Sequence, residues 1–230
     1  MKILVGFGCS MVFGYPNNHN NSVMYQLSRI LDMDYVNCAI NAAGNDLIYE
    51  KILVEHYSGK ITPDDSFIVI GWSEVFRRKI FYNQKVWETF RPIQTLSDDE
   101  FRKEDSKEIA LYSDYFMNNN QNYYDTLSSI ISTYHLLKSY GYNYLMFDAL
   151  SIRPEDDLKI DKNWIPNEFL EVYNSIPNYY REIQYNEFLD ELYKGDDKVP
   201  YVSEVDGHPN EYGATEFAKV LYDNINMQKI

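Results

Sequence analysis

The sequence predicts an α/β domain with a doubly wound parallel sheet, and two features of the chain carry that prediction. Short β-branched or aromatic apolar runs alternate with longer segments of helical period, the pattern of strands joined by crossover helices. Short polar residues gather in the loops after those runs, where an open parallel sheet presents its ligand-binding edge. With 230 residues and neither an internal repeat nor a long linker, the chain reads as one domain spanning 1–230.

Taken in order, strands are expected at Lys2 to Phe7, Tyr35 to Ala39, Ser66 to Trp72 and Asn143 to Ala149, with a short fifth near Tyr201. Helices are expected at Ser22 to Leu31, Asp46 to Tyr57, Tyr124 to Tyr140 and Glu211 to Ile225. Asn45 and Asn210 are placed as N-caps, because an asparagine oxygen there can accept a first-turn amide. Two segments exceed the minimal alternation and read as insertions. One covers about 81–122; the other covers about 152–198, carries Pro154, Pro166 and Pro177, and holds a helical stretch from Asn178 to Tyr193. Insertions after strands lie at the carboxyl edge of such a sheet, so both are expected to take part in substrate recognition.

Charge narrows the classes of partner. Twenty-one Lys and Arg against 35 Asp and Glu leave a net charge of −14, which disfavours nucleic acid and anionic membranes. No apolar run approaches the roughly 18 residues that span a bilayer. The start, MKILVGFGCSMVFG, reads as a strand entering a turn rather than a signal peptide. A cytoplasmic location is therefore expected. Cys9 and Cys38 are too few for a disulfide framework and are expected as thiols. No His, Cys, Asp and Glu cluster has metal-ligand spacing, so neither a metal nor another cofactor is expected.

Five loops at the predicted sheet edge hold the polar residues: Gly6 to Gly14, Asn41 to Asp46, Gly71 to Glu74, Asp148 to Arg153 and Asp206 to Asn210. A serine becomes nucleophilic only when a base takes its proton and a third group holds that base. Of four histidines, His19 lies in an asparagine-rich stretch and His56 and His135 fall within helical periods; His208 alone sits on a strand-to-helix loop. Ser10 and His208 are thus the expected nucleophile and base, with Asp206 two residues away to orient the imidazole. Oxyanion donors are sought in the Ser10 amide, the Ala42 to Gly44 loop and the Asn45 side chain. Trp72 and Arg77, in and after the third loop, are candidates for substrate binding, although an arginine paired with Glu74 at the surface is an equal alternative for Arg77. Asp148 ends the fourth strand and reads equally as a site residue or a structural hydrogen-bond partner.

FGCSMVFG resembles the nucleophile block of the SGNH (GDSL) hydrolases, and DGHPNEYG resembles their histidine block. NCAINAAGND is similar to the second block, and VIGWSEVFRR to the third in a divergent branch. The resemblance implies a flavodoxin-like three-layer fold, a Ser-His-Asp arrangement and hydrolysis of esters, often acyl groups on carbohydrates or lipids. Three positions depart from the family pattern. Cys9 replaces the aspartate before the nucleophile, Ser73 replaces the block-three asparagine and takes its place among the oxyanion candidates, and Val205 stands where the family aspartate lies. Asp206 is then one residue closer to His208, and Glu204 is the alternative acid.

Competing assignments have weaker support in the residues. The GxG after the first strand lacks the third glycine of a dinucleotide site, and the second strand does not end in an acid to hold a ribose. Cys9 has no positive neighbour in sequence to lower its pKa. The expected function is a serine esterase acting through an acyl-enzyme on Ser10. A carbohydrate O-acyl ester is the first substrate choice, because the aromatic segments at Trp164 and Tyr179 to Tyr180 suit sugar stacking, although they suit packing as well. The alternative is a non-catalytic binding or structural module on the same scaffold.

Overall fold

The apolar runs become strands where both faces are covered, and they stay short where one face meets solvent. The computed structural model describes residues 2–16, 18–75, 77–82, 85–90, 119–150, 152, 165–195, 198–203 and 206–227. Its strands are β1 (Ile3–Gly8), β2 (Asp34–Asn37), β3 (Ser66–Trp72), β4 (Arg78–Tyr82), β5 (Lys85–Phe90), β6 (Asn143–Asp148) and β7 (Tyr179–Tyr180). The helices are α1 (Ser10–Phe13), α2 (Val23–Ile30), α3 (Asn45–Tyr57), α4 (Asn119–Tyr140), α5 (Asn167–Asn174), α6 (Tyr185–Gly195) and α7 (Glu211–Met227), with a 3-10 turn at His19–Asn21.

Five strands form one parallel sheet in the order β2-β1-β3-β6-β7, and β4 pairs antiparallel with β5. All seven residues of β3 are buried, as a central strand covered by helices requires. β2, at the edge, alternates between exposed and half-buried residues. α2 packs on α7 and α3 packs on α4, so helices flank the sheet in a three-layer arrangement. The chain leaves β1 for β2 on one side and returns to β3 on the other. β1 and β3 therefore bound the switch point, where loops diverge and a crevice opens.

Several expectations are corrected. The fifth strand is Tyr179–Tyr180, while Tyr201 makes only an isolated bridge to Pro209. The expected helix from Asn178 begins at Tyr185, because Asn178 adopts a left-handed turn (φ 57°) and the next two residues pair with β6. α4 starts at Asn119, inside the segment assigned to an insertion, and the β4–β5 hairpin also overlaps that segment. Gly44, not Asn45, occupies the N-cap position of α3. Asn210 does cap α7, accepting the Gly213 amide at 3.1 Å. Trp164 and Glu204 lie outside the described residues.

α7 is locked onto the sheet by aromatic packing. Phe217 stacks on Tyr185 of α6 at 4.3 Å and meets Phe147 of β6 edge-on at 5.4 Å. Such pairs add about 0.5–1.5 kcal/mol each beyond area burial. The consequence is positional, since the loop entering α7 carries His208.

Candidate active site

Glycines set Ser10 at the sheet edge. Gly8 and Gly71 are register partners on β1 and β3, and a Cβ on either would fall within 2.7 Å of Val12 Cγ2. Their bare backbones let Val12 sit down on the strand ends, and with it the single turn of α1. The Cys9 carbonyl accepts the Val12 and Phe13 amides at 3.0 Å, and Gly14 ends the turn in a left-handed conformation at φ 90°. Ser10 is the first residue of this turn, so its amide has no intrahelical acceptor.

The histidine loop is zipped to the segment before it. The Val202 amide donates to the His208 carbonyl and the Asn210 amide to the Pro200 carbonyl, both at 2.9 Å. Asn210 Nδ2 donates to the Val199 and Tyr201 carbonyls at 2.7 and 2.8 Å. Within that frame Asp206 Oδ1 accepts the His208 backbone amide at 3.0 Å and lies 2.6 Å from His208 Nδ1. An ionised carboxylate has no proton to give, so Nδ1 carries the hydrogen and Nε2 keeps its lone pair. Burial pushes the Asp206 carboxyl up, but hydrogen bonds from the ring and backbone of His208, joined by the ring's charge when it is protonated, hold the group below its ordinary value. The Tyr15 ring covers the imidazole at 4.4 Å, tilted by 33°.

Ser10, Asp206, His208 and Arg77 line one cleft of about 580 Å³, together with Met11, Ser203 and Gly207. Residues separated by almost the whole sequence are thereby brought together at the β1/β3 switch point. No hydrogen bond joins Ser10 to His208 among the described residues; apo sites commonly hold such pairs long.

Other expected site residues lie elsewhere. Trp72 is fully buried beneath the edge and does not line the cleft. Asn45, 2 % exposed, turns inward: its Oδ1 accepts the Ser73 amide at 2.7 Å and its Nδ2 donates to the Ser73 carbonyl at 2.8 Å. That clasp occupies the amide expected to face an oxyanion. The Ser73 hydroxyl is buried without a hydrogen-bond partner among the described residues, and neither Ser73 nor Gly44 lines the cleft. Asp148 is buried and accepts the Tyr179 hydroxyl at 2.6 Å, a structural contact. Tyr179 and Tyr180 are themselves buried, so they pack rather than offer a sugar platform.

Both cysteines are free, and burial pushes the Cys38 thiol up to about 11. Among the described residues no group of three or more His, Cys, Asp and Glu gathers as metal ligands, and no helix is long and apolar enough to cross a membrane. Tyr15 and Ser203 were not legible in the sequence, because their nearness to His208 comes from tertiary closure.

Solved structures that share this fold include GDSL-family proteins and esterases. A member of the lipolytic protein G-D-S-L family from Veillonella parvula superposes with a TM-score of 0.54 at 13% identity, each chain covered in full. The psychrotrophic esterase EstA from Pseudoalteromonas sp. gives 0.54 at 8% identity, with 99% of this chain and 98% of that one covered. The acetyl xylan esterase Est2A from Butyrivibrio proteoclasticus gives 0.51 at 12% identity, covering 99% of this chain and 64% of the other. The molecule therefore has the fold of the SGNH (GDSL) hydrolases. No curated protein matches its sequence. A family of unknown function (DUF6071) matches residues 15–162, and the chain belongs to that family.

Proposed function

We propose that the protein is a serine esterase with Ser10 as nucleophile, His208 as base and Asp206 as the acid that orients it. The observation that supports this reading is the shared cleft, which Ser10 lines together with an imidazole whose Nδ1 is held by Asp206. His208 Nε2 takes the Ser10 hydroxyl proton as Oγ attacks the ester carbonyl carbon. The resulting imidazolium returns that proton to the departing alcohol, leaving an acyl-Ser10. Water, deprotonated by the same nitrogen, then adds to the acyl carbon and releases the acid, restoring Ser10.

With the Asn45 amide and the Ser73 hydroxyl engaged or buried and Gly44 away from the cleft, the backbone amide of Ser10 is the remaining oxyanion donor of those expected. A carbohydrate O-acyl ester remains the first substrate choice, supported by the fold shared with an acetyl xylan esterase. A serine-directed fluorophosphonate and 4-nitrophenyl acetate test the reading together. Label on Ser10 and turnover that Ser10→Ala abolishes are expected; an unlabelled protein inert to the ester would overturn it.

A further inference from the structure

The cleft wall opposite in charge to the rest of the molecule is Arg77. It follows β3 by five residues, held by a turn in which its amide donates to the Glu74 carbonyl at 3.4 Å. The side chain is only 6% exposed although it lines the cleft with Ser10 and His208. Its Nε donates to Glu74 Oε1 at 2.5 Å, while Nη1 is buried with no hydrogen-bond partner among the described residues.

A guanidinium in this state lacks acceptors. It presents five donors in a rigid fork, and leaving a buried one unpaired is costly. Glu74 occupies the Nε edge only. Among the described residues lining the cleft, Arg77 is the one with a permanent positive charge. The chain as a whole carries −14, so an anion meets no general attraction here and its recognition has to be local.

We propose that Arg77 binds an anionic oxygen group of the substrate, so that the preferred ester carries a carboxylate-like or phosphate-like charge on its acyl or its alcohol side. This rests on the esterase reading above for the identity of the reacting bond. The fork fits such a group bidentately, and charge-assisted bonds of that type are the strong ones. The anion would also fix which part of the substrate approaches Ser10.

Two ester pairs separate the sources of the charge. The mono-4-nitrophenyl ester of adipic acid against 4-nitrophenyl hexanoate places it on the acyl side; 3-acetoxybenzoate against phenyl acetate places it on the alcohol side. With each kcat/KM normalised to the hydroxide rate, the wild type is expected to favour the charged member of one pair by roughly ten- to a hundredfold. Arg77→Gln should bring that ratio near one, and Arg77→Lys should leave an intermediate value.

A wild-type ratio near one in both pairs overturns the proposal and leaves the esterase standing; it needs no variant to fold. A folded Arg77→Gln that keeps the wild-type preference overturns it too, and identifies the arginine as a structural partner of Glu74. If the wild type cleaves none of the four esters, the esterase reading fails and calorimetry with monomethyl adipate decides the anion site. Saturable binding lost in Arg77→Gln supports it, and no binding overturns it.

Discussion

Asp206 and His208 show how much of a site rests on one oxygen. Asp206 Oδ1 accepts both the ring and the backbone N–H of His208, so the carboxylate sets the tautomer and the ring plane together. In Asp206→Asn the amide can offer an N–H to Nδ1 and move the ring proton to Nε2, the wrong tautomer for a base. The expected result is a kcat on 4-nitrophenyl acetate lowered by about 10⁴-fold, with an unchanged circular dichroism spectrum. Asn45 teaches the opposite lesson. In sequence it reads as an oxyanion donor, yet its side chain closes on the Ser73 backbone, and each buried bond of that kind is worth about 1 kcal/mol. One-dimensional spacing shows that a polar residue reaches the sheet edge, not which way it faces.

At the scale of elements, two joints hold the site. The first is the close approach of α1 to the strand ends, where a Cβ at Gly71 would lie 2.5 Å from Val12 Cγ2 and 2.8 Å from Phe147 Cζ. Gly71→Ala therefore forces α1 and Ser10 outward. It should cost about 1–3 kcal/mol, read in thermal unfolding as about 2–4 °C for each kcal/mol, with a fall in the 4-nitrophenyl acetate turnover expected of the proposed esterase. The second joint is Asn210, which caps α7 with Oδ1 and ties Val199 and Tyr201 with Nδ2. Asn210→Ala should lower stability by about 1–2 kcal/mol in urea unfolding, at the upper end of cap losses because the loop bonds go too.

Over the whole molecule, acid is the vulnerable direction. Burial pushes the Glu55 carboxyl up, but Lys51 at 2.6 Å and Lys60 at 3.6 Å outweigh it and hold the group below its ordinary value, as His208 does for Asp206. A carboxyl whose pKa is lower folded than unfolded binds fewer protons in the native state. Its contribution is complete above the unfolded value, about 4, and is lost as pH falls through the folded value. Melting temperature measured from pH 7 downward should thus drop steeply below about pH 5, and Glu55→Gln should start lower at pH 7 and fall less.

Alternation of apolar runs with helical periods was enough to determine the sheet class and four of its five strands, because burial on both faces writes β1, β3 and β6 as continuous apolar runs and β2 falls between two helical periods. That Ser10, Asp206 and His208 would meet at one cleft was also legible, because short polar residues cluster in the loops at one sheet edge and the chain has four histidines; their catalytic roles rest on the proposal above. Tertiary structure decided the rest. It placed the fifth strand at Tyr179–Tyr180, since a two-residue edge pairing leaves no pattern. It buried Trp72 and turned Asn45 away from the cleft, and it set Tyr15 over His208 and brought Arg77 to the cleft that Ser10 lines. Those outcomes depend on which side chains meet across the β1/β3 crevice, a distance that spacing along a chain does not contain.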